Sequence, residues 1–147
     1  MTQTSNQRTL LTLILCLISM PFFAQVTKYN DWEMAKALAQ KTDKNILIIL
    51  TGAEWCKPCI KLEKNVIEND AFISFANDKL VIFEINMPRH MDLDSQVVKD
   101  YITFRDKYET NALPTLILTD HRGIEKARIT NGISSVDKVL GTLKENL

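Results

Sequence analysis

Two cysteines with two residues between them are the most reactive feature of this sequence. Cys56 and Cys59 enclose Lys57 and Pro58, shortly after an apolar run at residues 46–50, and helical periodicity begins at the motif. Such a pair at the junction of a strand and a helix can close into a disulfide and open again within one helical turn. The spacing therefore predicts a redox-active dithiol.

The place of each cysteine in that helix predicts its role. Cys56 stands where the first free backbone N–H groups point, and their partial positive charge favours a thiolate, so Cys56 is the expected nucleophile. Cys59 falls on the same helix face and can resolve a mixed disulfide. Pro58 suits the first turn because it lacks an N–H. Lys57 adds a cation and Glu54 an anion beside the thiolate, so the sign of their combined effect stays open.

Two other uses of the cysteine pair have less support. A structural zinc site needs two further soft or imidazole ligands, and the chain offers only Cys16, His90 and His121. A purely structural disulfide would gain little, because closing so short a loop removes little chain entropy. We therefore predict no metal and no cofactor, and we interpret the two histidines as a solvated loop residue and a turn residue.

Length and composition indicate one globular domain. A chain of 147 residues can bury a substantial core, and 46% hydrophobic with 24% charged residues is ordinary for a folded protein. The formal net charge is zero, and the sequence contains neither a basic patch nor an aromatic RNA-binding motif. We therefore expect no nucleic-acid partner, and we expect a monomer.

The N-terminal residues resemble a targeting segment. A polar start carrying Arg8 leads into an apolar stretch that is short for a membrane span, and Ala24 follows it. We predict a secretory signal at residues 1–24 and a single domain at residues 25–147, with an uncleaved membrane anchor as the alternative. The signal predicts export to the periplasm, which is an oxidising compartment. Its cleavage would remove Cys16 and leave Cys56 and Cys59 as the two cysteines of the mature chain.

Hydrophobic periodicity predicts an α/β domain in which helices flank a central sheet. A strand, a helix and a second strand in succession imply a parallel crossover, and a later pair of strands is expected to form an antiparallel hairpin. Asn30 or Asp31 is expected to cap the first helix and Ser134 the last, while residues 77–79 are expected to turn. The predicted strands are 46–50, 80–85, 116–119 and 124–130, and the predicted helices are 31–40, 56–67, 71–76, 94–108 and one after Ser134.

From about Asp31 to its C-terminus the chain resembles the thioredoxin-fold thiol:disulfide oxidoreductases, in particular their exported bacterial branch. An apolar strand leads into the sequence Ala-Glu-Trp-Cys-Lys-Pro-Cys at residues 53–59, Leu-Pro-Thr follows at residues 113–115, and Gly132 precedes the final helix. The resemblance implies a single thioredoxin-fold domain with a central mixed sheet. These motifs in this order are far more specific than the cysteine pair alone.

The resemblance also implies roles for individual residues. Pro114 matches the family's cis-proline, which faces the dithiol, and a cis X–Pro bond costs only about 0.5–1 kcal/mol. The backbone of Leu113 would pair with a substrate chain as an added strand does, so the substrate-binding segment is Leu113, Pro114 and Thr115. Trp55 matches the aromatic residue that flanks the nucleophile.

Two positions depart from the family pattern. Leu50 stands where cytosolic thioredoxins carry a buried aspartate that assists proton transfer, and Ile82 stands where the lysine partner of that aspartate would fall. The proton relay must differ, with Glu54, Glu84 or water as candidates. The proline before the second cysteine favours a reductant.

These features together predict an exported reductase of protein disulfides. Its expected partners are proteins with oxidised cysteines and a membrane-embedded electron donor. Two alternatives stay open, which are a dedicated thiol helper for cytochrome maturation or metal delivery, and a binding module that uses the groove beside Pro114 without turnover.

Overall fold

The structure is a computed structural model that describes residues 25–131 and 133–147. The signal predicted for residues 1–24 and the predicted role of Gly132 lie outside the described residues. The elements in chain order are β1 (Lys28–Tyr29), α1 (Trp32–Thr42), β2 (Asn45–Thr51), α2 (Lys57–Leu62), a π-helix (Glu63–Ile67), α3 (Asp70–Lys79), β3 (Leu80–Asn86), α4 (Gln96–Lys107), β4 (Thr115–Thr119), β5 (Glu125–Ile129) and α5 (Val136–Glu145).

The five strands form one mixed sheet in the order β1-β3-β2-β4-β5. Strand β3 pairs in parallel with both β1 and β2, whereas β4 runs antiparallel to β2 and to β5. The predicted parallel crossover and the predicted hairpin are both confirmed. The α/β class with a central mixed sheet flanked by helices is confirmed as well.

Strand β2 is buried on both faces of the sheet, as its continuous apolar run predicts. Leu47 and Ile49 face a cluster formed with α2, the π-helix, α3 and α5. Leu50 and its neighbours of the same parity face the other side, where α1 and α4 cover the sheet. There the ring of Trp32 lies 5.1 Å from the rings of both Phe83 and Phe104, so Trp32 packs in the core on this face.

The short strand β1 was not predicted. Lys28 and Tyr29 lie opposite Ile82 and Phe83 of β3 and extend the sheet by one parallel edge strand. A segment of two residues shows no hydrophobic alternation, so only its pairing partner reveals it. Its position places Lys28 on the same sheet face as Ile82.

The helix ends confirm one prediction and correct two. Asp31, one of the two predicted caps of α1, occupies the N-cap, and its Oδ1 accepts a 2.8 Å hydrogen bond from the Met34 N–H. The turn predicted at residues 77–79 is wrong, because α3 continues through Lys79 and the chain passes directly into β3. The cap predicted at Ser134 is also wrong by one residue, since Ser135 occupies that position.

The helix that follows the motif reaches Ile67, as predicted, but its last five residues form a π-helix that begins at Glu63. No helix among residues 25–131 and 133–147 is long and apolar enough to cross a membrane.

Candidate active site

The motif begins where β2 ends and α2 starts. Cys56 is the N-cap residue of α2, with an extended backbone, and its Sγ accepts a hydrogen bond from the Cys59 N–H at 3.3 Å. The N–H of Cys56 in turn donates to the Gly52 carbonyl at 2.8 Å. The predicted placement of Cys56 at the helix start is confirmed. Its sulfur therefore receives an N–H and the positive end of the helix dipole.

A disulfide joins Cys56 to Cys59, whose Cα atoms are 5.2 Å apart. The exposed fraction of Cys56 is 8%, whereas that of Cys59 is 1%. Pro58 and Lys57 lie between them on the surface of the first turn. The pairing is the one that the spacing predicts, and Cys56 is the more exposed of the two cysteines.

Trp55 flanks the dithiol with a side chain that is 38% exposed. Its indole Nε1 donates a 2.8 Å hydrogen bond to the Met87 carbonyl, in the loop after β3. Gly52 lies against the same ring, because a Cβ at that position would stand 2.7 Å from the indole Cε2. Only a residue without a side chain allows this contact.

Asn86 links the end of β3 to residues 52–55, which form the connector between β2 and Cys56. Its Oδ1 accepts a 2.9 Å hydrogen bond from the Ala53 N–H, and the N–H of Met87 donates to the Thr51 carbonyl at 2.8 Å. Asn86 and Met87 were not singled out from the sequence. The signal that could have found Asn86 is its place at the carboxyl end of a strand parallel to β2.

The segment at residues 113–115 lies beside the dithiol. The Leu113–Pro114 peptide bond is cis, which confirms the isomer that the resemblance implies. The Leu113 carbonyl oxygen lies 3.7 Å from the Cys56 Sγ, and Pro114 is buried. Thr115 uses its hydroxyl within the fold, where it donates to the Ala112 carbonyl at 2.7 Å.

The charged residues predicted to modulate the nucleophile are at the surface. Glu54 and Lys57 are both exposed, and neither takes part in an ion pair with another described residue. Solvent screens such charges strongly, so their effect on the thiolate is small.

The apolar residues at the two positions that depart from the family pattern are buried. Leu50 and Ile82 are both inaccessible to solvent and belong to the core on opposite faces of the sheet. Neither position can take part in proton transfer, because an aliphatic side chain has no titratable group.

An ion cluster occurs instead on the sheet face that the motif helix covers. The Nζ atom of Lys28 lies 2.6 Å from Glu63 Oε1 and 2.8 Å from Glu84 Oε2. Burial alone would lower the pKa of Lys28, but its hydrogen bond to Glu63 and the negative charges of both carboxylates outweigh it, so the pKa lies above its ordinary value. Glu84 was among the sequence candidates, whereas Lys28 and Glu63 were not.

The two histidines are at the surface, as predicted. His90 and His121 are exposed in separate loops. Within residues 25–131 and 133–147, no group of three or more histidine, cysteine, aspartate or glutamate side chains is arranged to hold a metal ion.

Comparison with known proteins gives three informative matches. A sequence model of the thioredoxin-like domain family matches residues 32–146. The thioredoxin-related protein DsbJ of Chlamydia pneumoniae is 28% identical over 99 residues, which cover 67% of this chain and 28% of DsbJ. The disulfide bond reductase DsbH of the same organism is 24% identical over 128 residues, which cover 84% of this chain and 77% of DsbH. The chain thus spans well under half the length of the first relative and about three quarters of the second.

A solved structure described as DsbH oxidoreductase superposes with a TM-score of 0.75 at 21% sequence identity. The match covers 88% of this chain and 90% of that one. At this identity the likeness shows a shared fold.

Proposed function

This chain belongs to the thioredoxin-like domain family, and from that premise we propose that it reduces disulfide bonds of other proteins outside the cytoplasm. It is a thiol:disulfide oxidoreductase whose dithiol is Cys56 and Cys59. The observation that carries the proposal is the disulfide at the start of α2, with Cys56 near the surface and next to the Leu113 carbonyl.

The first half of the reaction uses Cys56 as the nucleophile. In the reduced protein its thiolate is stabilised by the Cys59 N–H and by the helix dipole. The thiolate attacks one sulfur of a substrate disulfide, so a mixed disulfide forms and the other substrate sulfur leaves as a thiolate that takes a proton from water.

The second half uses Cys59 as the resolving residue. Its sulfur loses a proton, attacks the Cys56 sulfur and displaces the second substrate thiolate, which leaves the Cys56–Cys59 disulfide. A partner protein cannot reach Cys59 directly, because only 1% of that residue is exposed. Two electrons have passed to the substrate, and a membrane-embedded dithiol donor restores the reduced state.

The substrate chain is proposed to bind across Leu113, Pro114 and Thr115. The Leu113 carbonyl lies 3.7 Å from the reacting sulfur, so a strand paired with this backbone would hold its own cysteine at Cys56. Trp55, which is exposed, provides an apolar surface beside Cys56.

The proposal includes the direction of electron transfer, which is reduction of the substrate, and the cellular compartment, which is the periplasm. Pro58 before the second cysteine and the name of the relative DsbH, disulfide bond reductase, both support reduction. Residues 1–24 would act as the export signal, and residues 25–147 would form the mature domain in the periplasm. An oxidising compartment requires the electron donor, since no soluble thiol pool keeps the dithiol reduced there.

Trapping of mixed disulfides tests this proposal. The variant C59S should accumulate covalent complexes with substrate proteins through Cys56, and the matched control C56S should accumulate none. The opposite pattern would reverse the two roles. A reduction potential of about −120 mV, at the oxidising end of the known range, would contradict the reductase direction.

A further inference from the structure

Two buried threonine hydroxyls meet at the ends of the stretch that contains the Leu113 carbonyl. Thr110 follows α4 and Thr115 begins β4, and their exposed fractions are 6% and 0%. The two Oγ1 atoms are 3.2 Å apart, so one hydroxyl donates to the other. A buried hydroxyl without a partner is costly, so each threonine is accommodated here through the other.

The direction of this hydrogen bond follows from a second one. The hydroxyl of Thr115 donates to the Ala112 carbonyl at 2.7 Å, and a hydroxyl has only one proton to donate. Thr115 must therefore accept from Thr110, which makes a chain of two bonds in one direction. Hydrogen bonds in such a chain polarise and strengthen one another. The carbonyl of Ala112 is thereby bound inside the protein, one residue before the carbonyl of Leu113.

Both ends of the stretch are also fixed to other parts of the fold. The N–H of Thr110 donates to the Arg105 carbonyl at 3.0 Å, which links it to the last turn of α4. Thr115 lies opposite Leu50 in the antiparallel pairing of β4 with β2, the strand that leads to the cysteine motif. The position of residues 111–114 relative to the motif then depends on the hydroxyl pair that closes the stretch.

We propose that Thr110 is a positioning residue for the substrate chain, an inference that rests on the proposed function. Its hydroxyl, acting through Thr115, holds the backbone that carries the Leu113 carbonyl. That carbonyl lies 3.7 Å from the Cys56 sulfur, so a substrate N–H bound to it holds the substrate disulfide next to the nucleophile. Thr110 acts on the backbone and not on the cysteines.

This role separates two classes of disulfide. A protein or peptide disulfide has backbone N–H groups that can pair with the Leu113 carbonyl, as an added strand does. A small aromatic disulfide such as dipyridyl disulfide has no peptide N–H and reacts with the Cys56 thiolate alone. The hydroxyl of Thr110 therefore contributes to the first reaction and not to the second.

Rate constants of the reduced full chain with insulin and with dipyridyl disulfide test the inference. The variant T110V replaces the hydroxyl by a methyl group of similar size. We expect it to react with insulin about threefold to tenfold more slowly, which is the factor that one net hydrogen bond supplies. Its rate with dipyridyl disulfide and its reduction potential should equal those of the wild type. T110S keeps the hydroxyl and should restore the rate with insulin.

The matched control is T119V. Thr119 lies at the other end of β4, is 0% exposed, and donates its hydroxyl to the Ile46 carbonyl at 3.5 Å. This variant also removes a buried hydroxyl from the same strand, but at the end away from Leu113. It should leave the rates with both disulfides unchanged.

The outcomes separate this inference from the function on which it rests. If the wild-type chain fails to reduce insulin, the proposed function is wrong. If the wild type reduces insulin and T110V is equally fast, or if T110V is slowed equally with both disulfides, Thr110 does not position the substrate chain. Circular dichroism verifies the fold of each variant, and T110A, which removes the hydroxyl without adding volume, replaces T110V if that variant is unfolded.

Discussion

The indole Nε1 of Trp55 donates a 2.8 Å hydrogen bond to the backbone carbonyl of Met87. This bond connects the aromatic side chain before the nucleophile to the loop after β3. Together with the bond from Ala53 to Asn86, it fixes the connector from two sides. The orientation of Trp55 beside Cys56 is therefore determined by residues that come more than thirty positions later in the chain.

Replacement of Gly52 by alanine should displace the Trp55 ring. The new Cβ would lie 2.7 Å from the indole Cε2, closer than a van der Waals contact allows, so either the ring or the connector must shift. We expect a loss of about 1–3 kcal/mol in the free energy of unfolding, as for other overpacked sites. Denaturant unfolding measures the loss, and the Trp55 indole N–H resonance reports the displaced ring.

Gly141 provides the matched control for that substitution. A Cβ at Gly141 in α5 meets no atom within 4 Å, so G141A should stabilise the protein by about 0.5–1 kcal/mol through its higher helix propensity. An equal loss of stability in both variants would show that the Trp55 contact is not the cause.

Replacement of Asn86 by alanine should weaken the connector without touching the cysteines. The Ala53 N–H would lose its partner in a half-buried position, which costs about 1–2 kcal/mol. We expect slower reduction of insulin by N86A than by the wild type, because the segment that carries Trp55 and Cys56 is no longer fixed. N111A removes an exposed asparagine and should match the wild type in both stability and rate; a rate for N86A equal to that of N111A would contradict the positioning role.

Local patterns explain how much of this site could be predicted from the sequence. The apolar run of β2 shows its burial on both faces directly, and the cysteine spacing shows the pairing. The cis bond at Pro114 came from the resemblance rather than from any local pattern. In each case the information lies within a few neighbouring residues or in a recognisable motif.

The contacts that could not be predicted join residues far apart in the chain. Lys28 meets Glu63 and Glu84 only because the two-residue strand β1 pairs with β3. Asn86 reaches Ala53 because β2 and β3 end at the same edge of the sheet. Hydrophobic periodicity identifies the strands but carries no information on which polar side chains meet across them.

Tyr108 is buried on the sheet face that α1 and α4 cover, and it should make the stability of the protein depend on pH. The hydroxyl of Tyr108 donates a 2.9 Å hydrogen bond to the Gly123 carbonyl. Burial raises the pKa of Tyr108 to about 12, and the negative charges of Glu125 and Asp120 add to the effect. Since the folded protein binds this proton more tightly than the unfolded chain does, the stabilisation is complete below about pH 10 and is lost as the pH rises toward 12.

The variant Y108F should show both effects. Near neutral pH it should be less stable than the wild type by about 1–1.5 kcal/mol, because the Gly123 carbonyl loses its donor. Between pH 10 and 12 this difference should shrink and then reverse, since only the wild type must ionise a buried phenol. Denaturant unfolding of both proteins across this range measures the difference, and a constant gap would contradict the assignment.

Alkylation of the reduced protein should distinguish the two cysteines. Cys56 combines the larger exposed fraction, 8% against 1%, with the hydrogen bond from the Cys59 N–H and the positive end of the helix dipole. Both exposure and thiolate character increase the rate of reaction with iodoacetamide, so Cys56 should be modified about tenfold or more faster than Cys59. Peptide mapping by mass spectrometry after brief exposure should therefore find the label on Cys56 alone. Labelling of Cys59 before Cys56 in the wild type would show that burial does not protect it, and the assignment of nucleophile and resolving residue would then have to be exchanged.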